Sequence, residues 1–271
     1  MSLLLDARQR AMLEEMKIRL FLPQAQFADE PALAGEPALA APATLAEAPV
    51  RARAPAPAAT MGPAATLVRA VAGPRERLPG IATMEWEALQ QAVAACRACK
   101  LCEGRRNTVF GVGDPHPEWL VVGEAPGENE DLQGEPFVGQ AGKLLDNMLG
   151  AMGMGRHDKV YIANVLKCRP PGNRNPEPDE IAQCEPFLRR QVELLRPKII
   201  LAMGRFAVQT LLGTTEPIGR LRGRVHRYND VPVVVTYHPA YLLRNLPDKA
   251  KAWADLCLAQ AVYRASVAPP D

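Results

Sequence analysis

The sequence predicts an α/β fold in which parallel strands alternate with helices. Two observations support this class: residues 84–271 contain short apolar runs that end at glycine or at polar residues, and amphipathic stretches of helical period separate these runs. Such alternation predicts a parallel sheet with helices on both faces. In folds of this kind ligands bind beyond the carboxyl ends of the strands, so the loops that follow those ends are the candidate functional segments.

Four apolar runs, at residues 119–122, 160–164, 198–203 and 231–237, predict the strands. Their apolar character is nearly continuous, which is typical of strands that are buried on both faces. Helical patterns cover residues 141–152, 178–195, 204–212 and 247–264. In the last of these, Cys257 lies on an apolar stripe, and we expect it to pack in the core.

The first 83 residues differ in composition from the rest of the chain. Almost half of residues 21–80 are alanine or proline, and the scattered prolines prevent the alanines from forming helices. We therefore expect residues 21–83 to be a disordered linker. Residues 1–20 carry apolar side chains at helical spacing, which predicts an amphipathic helix that either docks on a protein partner or has no role.

Composition excludes several classes of protein. The chain carries 32 basic and 30 acidic residues, so its formal charge of +2 indicates no partner. No run approaches the roughly 20 apolar residues of a membrane span, and the first 20 residues are too charged for a signal peptide. Six cysteines are few for a secreted disulfide scaffold of this length. We expect a cytoplasmic protein with reduced cysteines.

Four cysteines have a spacing that suits a metal site. Cys96 and Cys99 form a C-x2-C pair, and Cys168 and Cys184 follow much later. Two adjacent and two distant thiolates can hold a zinc ion or an iron–sulfur cluster, and the wide spacing modestly favours the cluster. Cys102 is either a spare thiol or a substitute for Cys99.

The loops after the strands carry polar groups that could perform chemistry. Gly123 and Glu124 open an acidic, glycine-rich loop that lacks the ending of a phosphate loop and would repel a pyrophosphate. Asn164 ends a strand and could either read the edge of a planar base or cap a turn. Phe137 precedes a helix and His238 follows the last strand; each also has an ordinary structural interpretation, as a core ring and as a structural histidine.

Basic side chains cluster around the same loops. Such a patch attracts phosphate backbones, although a solvated arginine surface would look the same. The basic residues in question are Lys167, Arg169, Arg174, Arg220, Arg222, Arg224, Arg227 and Arg244.

Together these motifs resemble the iron–sulfur (family 4) uracil-DNA glycosylases over about residues 92–264. The matching motifs are Cys96-Arg97-Ala98-Cys99, Gly123 to Gly127, Pro136-Phe137-Val138-Gly139, Asn164, Lys167-Cys168-Arg169-Pro170, Cys184 and His238 to Arg244. The resemblance implies a three-layer α/β/α sandwich with a central four-stranded parallel sheet. It implies a DNA repair enzyme that flips uracil out of DNA and hydrolyses its N-glycosidic bond, leaving an abasic site.

The resemblance also implies roles for individual residues. A structural [4Fe-4S] cluster would be held by Cys96, Cys99, Cys168 and Cys184, with Cys102 outside the ligand set. The implied uracil pocket comprises Gly123, Glu124, Ala125, Phe137, Asn164 and His238, of which Glu124 and His238 would be catalytic. From the resemblance and the local charge, the expected DNA-binding residues are Lys167, Arg169, Arg222, Arg224, Leu242, Leu243 and Arg244.

The chain departs from the wider superfamily at one position. Other branches place an Asp or Asn catalyst where this chain has Ala125, so the carboxylate role falls to Glu124. Residues 170–178 lack the histidine and the insert with which a sister branch traps DNA covalently, so we expect turnover.

The expected partner is uracil-containing DNA, single- or double-stranded, bound by a monomer at the bacterial nucleoid, with a possible protein partner at residues 1–20. Two other functions remain open from the residues. One is a non-catalytic iron–sulfur protein that binds DNA or transfers electrons, and the other is a hydrolase of free deoxyuridine nucleotides.

Overall fold

The computed structural model describes residues 79–267, and these residues form an α/β fold, as predicted. Within this range the strands are β1 (Val112–Gly113), β2 (Trp119–Gly123), β3 (Val160–Asn164), β4 (Ile199–Met203), β5 (Val225–Tyr228) and β6 (Val231–Thr236). The α-helices are α1 (Trp86–Ala95), α2 (Glu128–Gln133), α3 (Gln140–Ala151), α4 (Pro178–Leu195), α5 (Arg205–Leu212), α6 (Ile218–Leu221), α7 (Pro239–Leu242) and α8 (Lys249–Val267).

The strands form one mixed sheet in the order β1-β3-β2-β4-β6-β5. Strand β2 pairs in parallel with β3 and β4, and β4 pairs in parallel with β6. The two edge strands, β1 and β5, are antiparallel to their neighbours. The described sheet therefore contains the four predicted strands, which are mutually parallel, and two antiparallel edge strands that were not predicted. The edge strands were missed because β1 has only two residues and β5 alternates exposed and half-buried positions, so neither has an apolar run.

Each inner strand contributes side chains to two cores. In β2, Leu120 and Val122 belong to a core covered by α4 and α5, whereas Trp119 and Val121 belong to a core covered by α3 and α8. All five residues of β2 are buried, as are those of β3 and β4. Burial on both faces explains why these strands are continuous apolar runs.

The four strands and four helices predicted after residue 84 are all present, with bounds within three residues of those predicted. The prediction that Cys257 packs in the core is wrong, because it is exposed. Helix α8 instead buries Ala252, Leu256 and Ala259, which are spaced i, i+4 and i+7, so its apolar face is rotated away from Cys257.

The predicted N-terminal helix (residues 1–20) and linker (residues 21–83) lie outside the described residues, apart from residues 79–83. Ile81 is buried against Leu89, Val93 and Phe187, so the folded region begins slightly before residue 84. Among residues 79–267, no helix has the length and apolar content needed to cross a membrane.

Candidate active site

A cavity of about 700 Å³ lies at the carboxyl end of the sheet. Its wall includes Glu124 after β2, Asn164 at the end of β3, and His238 after β6. Phe137, from the loop before α3, also lines it, as does Ala125. The structure therefore brings the four candidate side chains at positions 124, 137, 164 and 238 together in one space, large enough for a small planar ligand.

Gly123 allows two of these side chains to approach each other. In the parallel register Gly123 pairs with Asn164. A Cβ atom at position 123 would lie 2.4 Å from Asn164 Oδ1 and 2.5 Å from Phe137 Cζ. Both separations are too short for non-bonded atoms, so the amide and the ring can occupy these positions only beside a glycine.

Phe137 forms a flat wall of the cavity. Its φ angle of 55° lies in the left-handed region, which is uncommon for a residue other than glycine. The ring stacks on the His238 imidazole, with centroids 5.3 Å apart and an interplanar angle of 26°. Although Phe137 is only 4% exposed, it lines the cavity and so is more than a core ring.

Asn164 presents an unused acceptor. The residue is 2% exposed, and among the described residues its Oδ1 atom has no hydrogen-bond partner. Buried polar atoms are nearly always paired, so an unpaired oxygen on a cavity wall indicates a ligand that donates a hydrogen bond. A turn-capping role would have given this oxygen a backbone partner.

The prediction that Lys167 contacts DNA is wrong. Its side chain is 1% exposed, and its Nζ atom donates to the Asn164 carbonyl at 2.8 Å and to Gln191 Oε1 at 2.6 Å. A longer bond of 3.3 Å reaches the Phe110 carbonyl. Burial lowers the pKa of Lys167 to about 7. These acceptors draw the ammonium inward, where it anchors the strand end that carries Asn164.

Glu124 is bound at the amino end of α5. Its Oε1 atom accepts a hydrogen bond of 3.0 Å from the Phe206 amide, where the helix dipole favours negative charge. Burial raises the pKa of Glu124, while the Phe206 amide and the Arg205 charge oppose that rise. Gly204 makes room for this arrangement: a Cβ there would lie 2.5 Å from Glu124 Oε1 and 3.0 Å from His238 Cβ.

His238 is held in one tautomer. Its Nδ1 atom accepts a hydrogen bond of 3.2 Å from the Ala240 amide, which leaves the ring proton on Nε2. Burial, assisted by the positive charge of Arg244, lowers the pKa of His238 to about 4. The imidazole is therefore neutral at physiological pH and can donate a hydrogen bond through Nε2.

The segment after His238 differs in part from the prediction. Leu242 is completely buried in the core under α3, so its predicted insertion into DNA is wrong. Leu243 is 41% exposed, and Arg244 is exposed and lines the cavity. Successive residues of a helical turn point about 100° apart, so Leu243 is exposed although its neighbour Leu242 is buried.

Arg222, also predicted to bind DNA, is engaged within the protein. Its guanidinium lies 4.6 Å from the ring centre of Tyr237, and its Nε donates to the buried Asp255 at 2.7 Å. Tyr237 in turn stacks on Tyr241, with centroids 5.0 Å apart. Only 13% of the Arg222 side chain is exposed, so this residue braces the segment that carries His238 and leaves little surface for a phosphate.

Other arginines surround the cavity. Arg174 and Arg205 line it directly. Arg169 is 24% exposed and lies 3.7 Å from Glu128. Arg224 is exposed in the turn before β5, near the end of the sheet that carries the cavity. DNA contacts by Arg169 and Arg224 stay predictions.

The candidate metal ligands converge. Cys96, Cys99, Cys168 and Cys184 line one small cavity together with Cys102. They come from three segments: the turn after α1, the loop after β3, and α4. No three His, Cys, Asp or Glu side chains in the described range are grouped tightly enough to hold a single ion. The case for a metal centre therefore rests on the sulfur donors that share this cavity.

Donors also point at two of these sulfurs. Arg105 Nη1 donates to Cys168 Sγ at 3.0 Å, and the Lys167 amide donates to Cys184 Sγ at 3.5 Å. Burial raises the pKa of Cys168 to about 11 and that of Cys184 to about 12, so each is a thiol unless a cation replaces its proton. Hydrogen-bonded sulfurs in a shared cavity are a donor set that fits an iron–sulfur cluster.

Comparison with known proteins identifies the family. Residues 110–257 match the family model described as the uracil DNA glycosylase superfamily. The chain belongs to the uracil-DNA glycosylase superfamily. Its relatives place it in the type-4 branch, as the motifs had indicated. A type-4 uracil-DNA glycosylase of Archaeoglobus fulgidus is 47% identical over 159 residues, which are 56% of this chain and 79% of that protein.

Two further type-4 uracil-DNA glycosylases match over most of their length. The protein of Thermotoga maritima is 44% identical over 59% of this chain and 83% of its own. That of Pyrobaculum aerophilum is 37% identical over 65% of this chain and 93% of its own.

Sequence reasoning missed several residues of this uracil-DNA glycosylase site. Gly204 begins the helical pattern at residues 204–212 and was given no role, although a glycine between a strand and a helix is a recognisable signal of close approach. Glu130, whose Oε1 accepts from the amides of Val138 and Gly139, was noted only as part of an acidic loop. Arg156, which binds the Phe137 carbonyl, gave no signal because it lies 19 residues from its partner.

We predict that His238 of this uracil-DNA glycosylase stays neutral between pH 5 and pH 8, with a pKa of about 4 and its proton on Nε2. Because the unfolded chain takes up this proton near pH 6.5, the folded state loses stability as the pH falls from about 6.5 towards 4. Imidazole nitrogen chemical shifts from a histidine-labelled sample test the pKa and the position of the ring proton. A pKa above 6, or a proton on Nδ1, would contradict them.

Proposed function

We propose that this protein binds uracil-containing DNA, rotates the uracil into the cavity and hydrolyses its N-glycosidic bond. The observation that carries the proposal is the unpaired, buried Oδ1 atom of Asn164 beside the Phe137 ring. The relatives named above are uracil-DNA glycosylases, which supports the same reaction here.

Asn164 would distinguish uracil from cytosine. The imide N–H of uracil can donate to Oδ1, whereas the corresponding ring nitrogen of cytosine is an acceptor and would face the same oxygen without a proton. A buried acceptor left unpaired costs about 1–3 kcal/mol, which disfavours cytosine in the cavity. Lys167 supports this role because its Nζ atom donates a hydrogen bond to the backbone carbonyl of Asn164 and so holds the end of β3 in place.

Phe137 and Leu243 would offset the cost of moving the base out of the duplex. Extrusion costs a few kcal/mol, and stacking of the base on an aromatic ring returns about 1–3 kcal/mol. The exposed Leu243 side chain can fill the space that the base leaves, while Arg244 can bind a neighbouring phosphate. The same cavity would accept uracil from single- or double-stranded DNA.

Glu124 and His238 would stabilise the charges that form as the bond breaks. The sugar becomes cationic, and the departing uracil becomes anionic. The Glu124 carboxylate would stabilise the sugar or orient the attacking water, and the neutral His238 would donate Nε2–H to a uracil carbonyl. Since Ala125 offers no carboxylate or amide, Glu124 is the acidic group of this loop on which the proposal rests.

Cys96, Cys99, Cys168 and Cys184 would hold a [4Fe-4S] cluster. When bound, the cluster supplies a structural cross-link rather than a reacting group. It would join the turn after α1 and helix α4 to the loop after β3, whose continuation at Pro170 lines the active cavity. The cluster would thereby fix the distance between that loop and Asn164.

We further propose that the enzyme acts as a monomer on DNA in the cytoplasm, at the bacterial nucleoid. The basic residues around the cavity support the contact with DNA. A protein partner bound through residues 1–20 stays a prediction.

The test is excision of uracil from an oligonucleotide, followed by alkaline cleavage of the abasic product. We expect the wild-type enzyme to cleave single- and double-stranded substrates and to leave free deoxyuridine monophosphate intact. Glu124→Gln and His238→Ala should lower the single-turnover rate by roughly 100-fold or more with unchanged DNA affinity. Asn164→Asp should reduce discrimination against cytosine. Wild-type rates in the first two variants would refute their roles.

A second prediction concerns Gly204. Its φ and ψ angles of 92° and 167° lie in a region that only glycine enters readily, so Gly204→Ala should cost about 1–3 kcal/mol of stability. It should also lower the excision rate by roughly tenfold or more, because the methyl group displaces Glu124. Gly213→Ala, with φ of 61° and nothing within 4 Å, is the matched control. It should lose stability but keep the excision rate; equal loss of activity in both would contradict the prediction.

The third prediction concerns the cluster. Protein purified without oxygen should be brown and contain about four iron atoms per chain. Cys184→Ser should lose this colour and iron, whereas Cys102→Ser and Cys257→Ser should keep both. Retention of iron in the Cys184 variant, or stoichiometric zinc in the wild type, would disprove the assignment.

A further inference from the structure

The turn Pro136-Phe137-Val138-Gly139 holds the aromatic wall of the cavity in a conformation that its own sequence does not favour. Phe137 has a φ of 55° and carries a side chain, so the left-handed backbone must be maintained by contacts elsewhere. The orientation of the ring follows from this backbone conformation. Whatever maintains it therefore determines where an extruded base can stack.

The carbonyl groups of the turn are bound by one arginine. Arg156 Nη1 donates to the Pro136 carbonyl at 2.8 Å, and Nη2 donates to the Phe137 carbonyl at 2.6 Å. The Phe137 carbonyl also faces α3 at Gly142, where a Cβ would lie only 1.7 Å from the oxygen. That carbonyl is thus confined between a helix backbone and a guanidinium.

The amide groups of the same turn are bound by one carboxylate. Glu130 Oε1 accepts from the Val138 amide at 3.0 Å and from the Gly139 amide at 3.2 Å. Two charged side chains on opposite sides therefore hold the polar backbone groups that flank Phe137. Because hydrogen bonds to charged groups are stronger than neutral ones, this clamp can keep an unfavourable φ angle.

Arg156 is itself oriented by Asp146 on α3. Both Nε and Nη2 donate to Asp146 Oδ1, at 3.1 and 2.8 Å. The Arg156 side chain is 16% exposed and that of Asp146 is 47% exposed. The cavity wall includes Glu130 but neither Arg156 nor Asp146. An effect of Arg156 on a bound base must therefore pass through the turn.

We propose that Arg156, oriented by Asp146, is a positioning residue that holds Phe137 in place to stack on the base. The inference rests on the proposed function, since it gives Phe137 a base to stack on. Lysine should replace this arginine only in part, because a single ammonium group lacks the fixed set of donors that reaches two carbonyls and a carboxylate.

The first experiment is a double-mutant cycle on single-turnover excision of uracil from single-stranded DNA. Arg156→Ala should lower the rate by about tenfold in the wild-type background, with DNA affinity and iron content unchanged. In the Phe137→Ala background the same substitution should lower the rate less than about twofold, because the ring through which it acts is gone. Arg156→Lys should recover only part of the loss. Equal effects of Arg156→Ala in both backgrounds would overturn the proposal.

Two further variants complete the experiment: Asp146→Asn is a milder perturbation of Arg156, and Arg189→Ala is a control. Asp146→Asn keeps Arg156 but weakens its orientation, so it should cause a smaller loss that also disappears in the Phe137→Ala background. If Arg156→Ala fails to fold, this variant decides the question alone. Arg189 forms an exposed ion pair with Glu185 on α4, and Arg189→Ala should leave the rate unchanged. A comparable loss in this control would overturn the specific role of Arg156.

A second measurement does not depend on activity. Amide hydrogen exchange at Val138 and Gly139 should become faster in Arg156→Ala, because the turn opens when its carbonyls are released. Unchanged exchange there would overturn the inference. If the wild type excises no uracil, the proposed function fails while the exchange result still decides the clamp. If the wild type is active and the cycle is additive, only the positioning role fails.

Discussion

The site depends on a single geometric constraint, the in-register parallel pairing of the inner strands. Parallel strands end at the same edge of the sheet, so β2, β3, β4 and β6 deliver their following residues to one place. The register then decides which residues are neighbours: Gly123 pairs with Asn164, and Met203 pairs with Thr236 just before Gly204 and Tyr237. A shift of one residue in any pair would put a side chain where a glycine now leaves space.

Burial at this edge of the sheet favours the uncharged forms of Glu124 and His238. It raises the pKa of Glu124 and lowers that of His238, but the hydrogen bonds that the two side chains make have different effects. The carboxylate receives an amide from the start of α5, which favours its charge, whereas the imidazole donates nothing through Nδ1 and stays uncharged. A carboxyl group that accepts an amide hydrogen bond, beside a neutral imidazole donor, would suit the proposed reaction, which creates a cation and an anion together.

Local patterns predicted the parts of the fold that are buried on both faces, since continuous apolar runs and helical stripes are direct signatures of burial. They did not predict β5, whose residues His226 and Arg227 interrupt any apolar pattern. Local patterns also did not distinguish neighbouring residues that differ in exposure. Leu242 and Leu243 look alike in the sequence, yet only the second is exposed. Lys167 stands in a basic loop, yet its side chain is buried, where it donates to Phe110 and Gln191, which are distant in the chain, and to the nearby Asn164.

The candidate site residues were recognisable because several short motifs occur together in the order typical of the family. The residues that orient them were not recognisable. Glu124, Phe137, Asn164 and His238 each stand in a short motif at a strand or helix end. Some of the groups that hold them in position, such as Arg156 and the Phe206 amide, lie far away along the chain and leave no local trace. The motifs therefore revealed the candidate residues but not all of the contacts that orient them.

The contacts that hold the segment after β6, which carries His238, affect the entropy cost of binding a nucleic acid. Arg222 lies between the Tyr237 ring and the carboxylate of Asp255, and Tyr237 stacks on Tyr241. Leu243 follows directly on the segment that these contacts hold. If Leu243 enters a duplex as proposed, little of the interaction energy is lost to immobilising it, because folding has already ordered that segment.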